Sequence, residues 1–218
     1  MKTDLPLSYL EREPAGGDSG DAPLVVLMHG FASYECHLYQ HADLFGPHWR
    51  VVAPRAPLRI GPGAYRWFFF ERTADGPIIR SEEERASLAT LLAFLEALKR
   101  TRRPSRFHLL GHSQGGTMAL AATLSRPGLV DGLVNVNGRI SPNVTAHGAQ
   151  PRLDGLPVLN RHGIDNPIVP LPMAHASRDL LTRCGARVEH RDHHGIGHGF
   201  TQEILAEAAR WLDQLPRR

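Results

Sequence analysis

The pentapeptide Gly-His-Ser-Gln-Gly at residues 111–115 directly follows an apolar run at residues 107–110. This pattern is typical of a buried strand that turns sharply into a helix and presents a serine at the turn. Side chains two positions before and after that serine would collide with the strand and the helix, and glycine at both positions removes the collision. The small residues at 117–124 suit a helix that stops before Pro127. Ser113 is therefore a candidate nucleophile.

A nucleophile of this kind needs an acid and then a histidine later in the chain. Asp165 lies just beyond the strand predicted at residues 157–163, at the strand end where ligands of open parallel sheets bind. Asp154 falls in a loop before this strand and Asp192 is the last residue of another, so both are less well placed. The alternative interpretation of Asp165 is an ordinary turn aspartate before Pro167. We predict Asp165 as the acid.

Three histidines compete for the role of the base, in a glycine-rich segment between the last predicted strand and the last predicted helix. His198 stands between Gly197 and Gly199, which allow the loop to bring its ring close to the serine. We predict His198 as the base, with His194 as the alternative. The order nucleophile, acid, base is that of α/β-hydrolases and differs from the orders in chymotrypsin-like and subtilisin-like proteases.

A candidate oxyanion hole lies after an early predicted strand at residues 24–28, which ends in His29-Gly30 at the same edge of the sheet. In enzymes with this architecture, one backbone N–H comes from this loop and the other from the residue after the nucleophile. We therefore predict the N–H groups of Phe31 and Gln114 as the oxyanion donors. A plain strand-to-helix turn is the alternative interpretation of His29-Gly30.

Taken together, these segments resemble the phospholipase/carboxylesterase family of α/β-hydrolases, from about residue 24 to residue 212. The resemblance rests on residues 27–31, 52–57, 65–68, 111–116, 162–170 and 197–199. The most specific segment is 162–170, which we match to the family pattern His-Gly-x-x-Asp-x-x-Val-Pro. The family implies the same catalytic triad and the same two oxyanion donors that position along the chain selects.

The resemblance implies a serine carboxylesterase that hydrolyses short- to medium-chain carboxylic esters through an acyl-enzyme on Ser113. Relatives with thioesterase activity usually carry glutamine where this chain has Arg55, and a more polar sequence than the three phenylalanines at residues 68–70. These differences favour an esterase. The alternatives are a lysophospholipase or acyl-thioesterase of the same family, and a non-catalytic ligand-binding protein on the hydrolase scaffold.

Strand-like and helix-like segments alternate along the 218 residues. We therefore predict one α/β domain, residues 1–218, with a mostly parallel central sheet, helices on both faces and no cap domain. Predicted strands lie near residues 7–12, 24–29, 50–54, 106–111, 130–137, 157–163 and 186–192. Further helices are predicted from Ser81, which forms a capping box with Glu84, at about 172–184, and at about 201–214 with Thr201 as N-cap.

The substrate pocket is predicted from a long, irregular connection at residues 58–80, which is rich in aromatic side chains. We predict Trp67 and Ile168 as substrate-binding residues, with Leu58 and Ile60 as weaker candidates. The alternative is that the aromatic side chains anchor the connection to the core.

Charge and composition exclude several classes of partner. The net charge is +3, and the basic run at residues 99–103 falls at a predicted helix C-terminus, where cations complement the helix dipole. No basic stripe interleaved with aromatic residues is present, so we expect no nucleic acid. The N-terminus lacks a signal-peptide core and the chain has no apolar run of eighteen residues. We expect a cytoplasmic monomer or homodimer that binds a small-molecule ester and has no integral membrane association.

Neither a metal nor a cofactor is predicted. Residues 192–198 combine an aspartate with three histidines, which is the composition of some metal sites. Two glycines interrupt this segment, so His194 and His198 cannot share a regular helix face as metal-binding histidine pairs do. A metallohydrolase is therefore only an alternative.

Overall fold

The computed structural model describes residues 1–17, 21–73, 76–145 and 151–216. Along the chain its elements are β1 (Tyr9–Arg12), β2 (Leu24–Met28), α1 (Cys36–Tyr39), β3 (Arg50–Pro54), β4 (Leu58–Gly61), β5 (Ala64–Arg66), β6 (Phe70–Thr73), β7 (Gly76–Ile79), α2 (Ser81–Arg102), β8 (Phe107–His112), α3 (Gln114–Ser125), β9 (Gly132–Val136), α4 (Pro142–Thr145), β10 (Pro157–Gly163), α5 (Leu171–Arg183), β11 (Arg187–His193) and α6 (Gln202–Gln214). No helix among these described residues is long and apolar enough to cross a lipid bilayer.

The central sheet has seven strands in the order β1-β3-β2-β8-β9-β10-β11. β1 pairs antiparallel with β3, and all the other neighbours are parallel. The predicted α/β architecture with a mostly parallel sheet is therefore confirmed, and the seven strands lie where they are predicted, to within a few residues.

Both faces of the sheet are covered. β2 is apolar throughout and buried at all five positions, as is typical of a strand with helices on both sides. Leu24 and Val26 pack into a core cluster with residues of α2, α3 and α5. Val25 and Leu27 point the other way, into a second cluster with residues of α6 and with Trp49. The helices thus cover the two faces of the sheet, and the loops at the carboxyl ends of its strands remain available to form a site.

The connection at residues 58–80 was predicted to be irregular, and this prediction is wrong. It contains two short antiparallel hairpins. β4 pairs with β5, and β6 pairs with β7. These hairpins lie outside the main sheet. Because their strands are short, they carry no long alternating pattern from which the sequence could predict them.

The predicted capping box at the start of α2 is not formed. Arg80 occupies the N-cap position and makes no side-chain cap. Ser81 instead donates from Oγ to Asn143 Oδ1 at 3.0 Å, and the carboxylate of Glu84 accepts from Ser141 Oγ at 2.9 Å. Tertiary contacts with the segment around α4 have displaced the local capping bonds. At α6 the predicted cap is present, since Thr201 Oγ1 accepts from Ile204 N at 3.3 Å.

Candidate active site

Ser113 occupies a strained turn between β8 and α3. Its backbone angles are φ 56° and ψ −119°, a conformation that non-glycine residues rarely adopt. Its N–H donates to Val136 O on the neighbouring strand at 2.9 Å. A Cβ on Gly115 would overlap the carbonyl of Met28, and a Cβ on Gly111 would overlap the backbone at Gly115. The glycines flanking the serine are therefore required by close backbone packing.

The structure brings Ser113 and His198 together. Ser113 Oγ lies 2.7 Å from His198 Nε2. Two side chains hold the loop that carries this histidine: His112 Nε2 donates to His198 O at 2.8 Å, and Asn137 Nδ2 donates to Gly199 O at 2.5 Å. Neither supporting residue is among the predicted site residues, although His112 lies inside the pentapeptide.

Asp165 does not contact His198. Its side chain is exposed, and its carboxylate forms no hydrogen bond or ion pair within the described part of the chain. The neighbouring residue, Asn166, is buried and takes its place: His198 Nδ1 donates to Asn166 Oδ1 at 3.0 Å. The assignment of the acid to Asp165 is thus not supported by the geometry, which gives a Ser-His-Asn arrangement.

The amide of Asn166 has a defined orientation. Its Oδ1 also accepts from the backbone N–H groups of Ile168 and Val169, each at 3.0 Å. Its Nδ2 donates to Asn137 Oδ1 at 3.1 Å. Because only an oxygen can accept from two backbone donors, the atom that faces His198 is Oδ1. The imidazole therefore carries its proton on Nδ1 and leaves Nε2 free to accept a proton.

The sequence contains a signal for this residue. In the pattern His-Gly-x-x-Asp-x-x-Val-Pro the acid is the fifth residue and the final valine and proline are the eighth and ninth. With His162, Val169 and Pro170 as anchors, the fifth position falls on Asn166 and not on Asp165. Asp165, an acidic residue directly before this position, was predicted instead.

Among the described residues, no carboxylate offsets the cost of charging His198. Burial, with a smaller contribution from the nearby His162, lowers the pKa of His198 to about 4. The ring is therefore neutral, and able to act as a base, across the physiological pH range. His194, the alternative base, is exposed on the loop.

The predicted oxyanion donors lie beside the serine. Phe31 and Gln114 both line the cavity that contains Ser113. Gly30 approaches so closely that a Cβ on it would lie 3.2 Å from the Cβ of Ser113. Within the described residues, neither the N–H of Phe31 nor that of Gln114 at the start of α3 has an acceptor. Both donors are thus available for a ligand oxygen.

The cavity beside the serine has a volume of about 350 Å³. Its apolar wall consists of Phe31, Phe68, Phe70, Ile79, Ile168 and Val169. Ile168, predicted as a substrate contact, lines this cavity. The weaker candidates Leu58 and Ile60 do not line it.

Trp67, the other predicted substrate contact, is not part of the cavity wall. It is fully buried, and its indole Nε1 donates to His29 O at 2.9 Å. The side chain of Gln114 binds the adjoining backbone, accepting from Trp67 N at 3.0 Å and donating to Phe68 O at 2.9 Å. Trp67 therefore anchors the aromatic connection, and Phe68 is the residue that reaches the cavity. The sequence alone could not distinguish which aromatic ring faces the cavity and which one faces the core.

Asp192 lies in β11 and does not bind His194 or His198 of the following loop. Its carboxylate accepts from His175 Nε2 at 2.8 Å and from His190 Nε2 at 2.7 Å. Ligand atoms of these three residues lie within 4.8 Å of one another, so they could hold a cation. None of the three lines the cavity with Ser113.

Comparison with known proteins agrees with the fold. Residues 15–215 match the family model described as Phospholipase/Carboxylesterase. The chain is 32% identical to "Acyl-protein thioesterase 1" of Gibberella zeae and 30% identical to "Probable carboxylesterase SOBER1-like" of Arabidopsis thaliana, each over 117 residues. These matches cover 52% and 51% of this chain, but only 50% and 43% of the two relatives.

Solved structures share the fold over nearly the whole chain. The crystal structure of esterase PE8 superposes with a TM-score of 0.85 at 27% identity, covering 96% of this chain and 99% of the esterase. The family model covers residues 15–215, which include every described helix and all strands of the central sheet except β1. The chain belongs to the phospholipase/carboxylesterase family.

Proposed function

We propose that this protein hydrolyses carboxylic esters with Ser113 as the nucleophile and His198 as the general base. The observation that carries the proposal is the 2.7 Å contact between Ser113 Oγ and His198 Nε2, in the wall of a largely apolar cavity. A serine hydroxyl becomes a nucleophile when an adjacent base can take its proton. The strained turn at the serine and the two available N–H groups support the same role.

The reaction runs in two halves. As Ser113 Oγ attacks the ester carbonyl carbon, His198 Nε2 takes the hydroxyl proton, and the N–H groups of Phe31 and Gln114 stabilise the oxyanion. Collapse of the tetrahedral intermediate breaks the ester C–O bond, and the leaving alcohol takes the proton from His198. Water then attacks the acyl-enzyme with the same histidine as base, which releases the carboxylic acid and restores Ser113.

Asn166 performs one of the two tasks of a catalytic carboxylate. It holds the proton of His198 on Nδ1, but it cannot stabilise the charge that the ring acquires during the reaction. In a chymotrypsin-like protease, exchanging the triad aspartate for asparagine lowers turnover about 10⁴-fold, with the ring in the wrong tautomer. Here the tautomer is correct, so we expect a smaller loss and a slow but measurable esterase.

The size of the cavity supports a preference for short to medium acyl chains, because a volume of about 350 Å³ is at the lower end of typical ligand pockets. The family also includes proteins named acyl-protein thioesterase, such as the relative from Gibberella zeae. Thioesters and lysophospholipids are therefore the alternative substrates, and chain length and leaving group are the variables to test.

The test is a series of initial rates on p-nitrophenyl esters from acetate to palmitate, together with one acyl thioester. We expect the highest rates at short to medium chains, and loss of the activity in Ser113→Ala and His198→Ala. His194→Ala is the matched control on the same loop and keeps the wild-type rate. Full activity in purified Ser113→Ala would overturn the proposal, whereas a preference for the thioester would change only the substrate class.

Asn166 also favours a second candidate, a non-catalytic ligand-binding protein. Loss of a triad member is common in such proteins, and the side chain at the acid position here carries no charge. A serine-reactive fluorophosphonate distinguishes the two candidates. Labelling of the wild type but not of Ser113→Ala supports the esterase, and absence of both labelling and hydrolysis supports the binding protein.

A further inference from the structure

The largely apolar cavity beside Ser113 has a cationic side chain in its wall. Arg139 lies just beyond the end of β9 and lines this cavity. Its backbone N–H donates to Thr117 Oγ1 at 3.3 Å, which ties the residue to α3 behind the nucleophile. Since a guanidinium keeps its proton at any pH at which proteins are folded, the cavity carries a permanent positive charge.

The guanidinium of Arg139 has no partner of its own. In the portion of the chain that the structure describes, it forms no hydrogen bond and no ion pair. Arg139 is half-buried, and the buried Arg161 differs from it in this respect, because Arg161 binds Glu189 at 2.8 Å and Glu207 at 3.0 Å. Arg139 is therefore not one of the arginines that stabilise the fold by pairing.

The carboxylate whose charge attracts Arg139 is that of Glu84, but its hydrogen bonds are to other residues. Its Oε2 accepts from Ser141 Oγ at 2.9 Å and from Asn143 Nδ2, and it forms no ion pair with Arg139. Burial lowers the pKa of Arg139, and the attraction of Glu84 offsets only part of that effect. The other oxygen of Glu84, Oε1, has no hydrogen-bond partner among the described residues and forms no ion pair with Arg139, so Glu84 compensates the guanidinium only in part.

An uncompensated cation in an apolar wall lowers the stability of a fold, and an apolar side chain there would be tolerated better. Residues that break this rule in a cavity are candidates for ligand binding. A guanidinium fits a carboxylate especially well, because its planar fork can donate two parallel hydrogen bonds to the two oxygens.

We infer that Arg139 binds a carboxylate carried by the substrate, so that the preferred substrates are carboxylic esters with a free carboxylate, such as half-esters of dicarboxylic acids. This inference rests on the proposed ester hydrolysis and names the substrate class for that site. It assigns Arg139 as the residue that distinguishes anionic esters from neutral esters of the same size.

The experiment compares matched pairs of esters that differ only in charge. Mono-p-nitrophenyl glutarate is measured against its neutral methyl ester, which places the charge on the acyl side. 4-Acetoxybenzoate is measured against methyl 4-acetoxybenzoate, which places the charge on the alcohol side. We expect kcat/KM to favour the anionic member of one pair by about 10- to 100-fold, the usual range for a charged hydrogen bond.

Variants assign that preference to its source. Arg139→Gln abolishes the preference by raising KM for the anionic ester while leaving the neutral ester within about 3-fold, and Arg139→Lys keeps part of it. Arg126→Gln removes an exposed positive charge from the other end of α3 and keeps the full preference. Equal rates for both members of both pairs in the wild type, or an equal loss on both members in Arg139→Gln, would overturn the inference.

A binding measurement separates this inference from the proposed function. Ser113→Ala is titrated with monomethyl glutarate and with dimethyl glutarate by ligand-detected NMR, which detects millimolar affinities without turnover. Tighter binding of the half-ester, lost in Ser113→Ala/Arg139→Gln, supports the carboxylate site even if the wild type hydrolyses nothing. Equal binding of the two esters contradicts the inference even if the esterase activity is confirmed.

Discussion

At the scale of single residues, the unusual feature is an amide in the position that orients the histidine. Asn166 is matched to its surroundings, because Oδ1 meets three donors and Nδ2 meets an acceptor, Asn137 Oδ1. A carboxylate at 166 would place its second oxygen against that acceptor. The surroundings of residue 166 therefore suit a neutral side chain, and within the described part of the chain no negative charge supports His198.

The first prediction concerns Asn166→Asp. A carboxylate stabilises the imidazolium, so we expect kcat to rise by at least about 10-fold, short of the full effect of a triad acid because of the repulsion from Asn137. The same charge raises the pKa of His198. The base must be neutral to act, so the acidic limb of the kcat/KM profile, near pH 4 in the wild type, moves up by about 1–3 units.

The measurement is kcat/KM against pH on one p-nitrophenyl ester at constant ionic strength. Asp165→Asn is the matched control, because it changes the adjacent, exposed acid in the opposite direction. It should stay within about 2-fold of the wild type over the whole profile. A large loss in Asp165→Asn together with an unchanged profile in Asn166→Asp would show that the histidine is oriented by Asp165 in solution.

The sequence allowed two residues that the structure brings together, Ser113 and His198, to be predicted for a physical reason. The strained turn imposes glycines around Ser113, where an added Cβ would overlap the backbone. Gly197 and Gly199 mark His198 in the sequence, although an added Cβ at either position would meet no close contact. Asp165 and Asn166 are both good turn residues, and which of them faces the histidine depends on hydrogen bonds from Ile168 and Val169. Such bonds appear only when the loop is folded.

At the scale of elements, the sheet was predictable because its strands are continuous apolar or alternating runs. The hairpins β4–β5 and β6–β7 were missed because their strands have only three or four residues each. The cap of α6 was predictable from Thr201, whereas Ser81 bonds to Asn143 instead. Local patterns thus predict an element reliably where no distant partner competes for the same polar atoms.

The position of the edge strand β1 depends on a buried cluster of charged side chains that no sequence pattern predicts. The side chain of Glu11 is fully buried and accepts from Arg102 Nε at 2.9 Å, from Lys2 Nζ at 2.6 Å and from Arg50. Burial alone would raise the pKa of Glu11, but these hydrogen bonds outweigh it and lower the pKa to about 2. The cluster fastens the antiparallel strand to β3 and to the end of α2.

The second prediction is that Glu11→Gln destabilises the protein by about 3–5 kcal/mol, because Arg50 and Arg102 then lose their closest counter-charge and keep longer contacts, with Glu13 and Asp4. The free energy of unfolding in urea at pH 7 measures this. Because the pKa of Glu11 is lower in the folded state, its contribution is present above about pH 4.5 and is lost as the pH falls towards 2. The control is Glu13→Gln, which removes a more exposed carboxylate from the same cluster and should lower the free energy of unfolding by less than about 0.5 kcal/mol. Equal losses of unfolding free energy in the two variants would contradict the central role of Glu11 in the cluster.

At the scale of the whole molecule, one sheet separates two apolar layers. Each layer contains residues from the same central strands, since alternate side chains of β2 enter opposite clusters. Neither layer can lose its order without exposing strands that the other layer also covers. We therefore propose that the chain unfolds as one cooperative domain, with the site at the carboxyl edge lost in the same transition.

The third prediction tests this coupling with two tryptophans on opposite faces of the sheet. Trp67 is buried in the cluster with α2 and α3, and Trp49 is buried in the cluster with α6. Labelling with 5-fluorotryptophan gives each ring its own ¹⁹F NMR signal in the same molecule, and Trp49→Phe and Trp67→Phe assign the signals. In a urea titration we expect both native signals to disappear with the same midpoint and the same slope. If the Trp49 signal disappeared at a lower urea concentration, the layer containing α6 would be a separate unit, and the site would persist after that helix detaches.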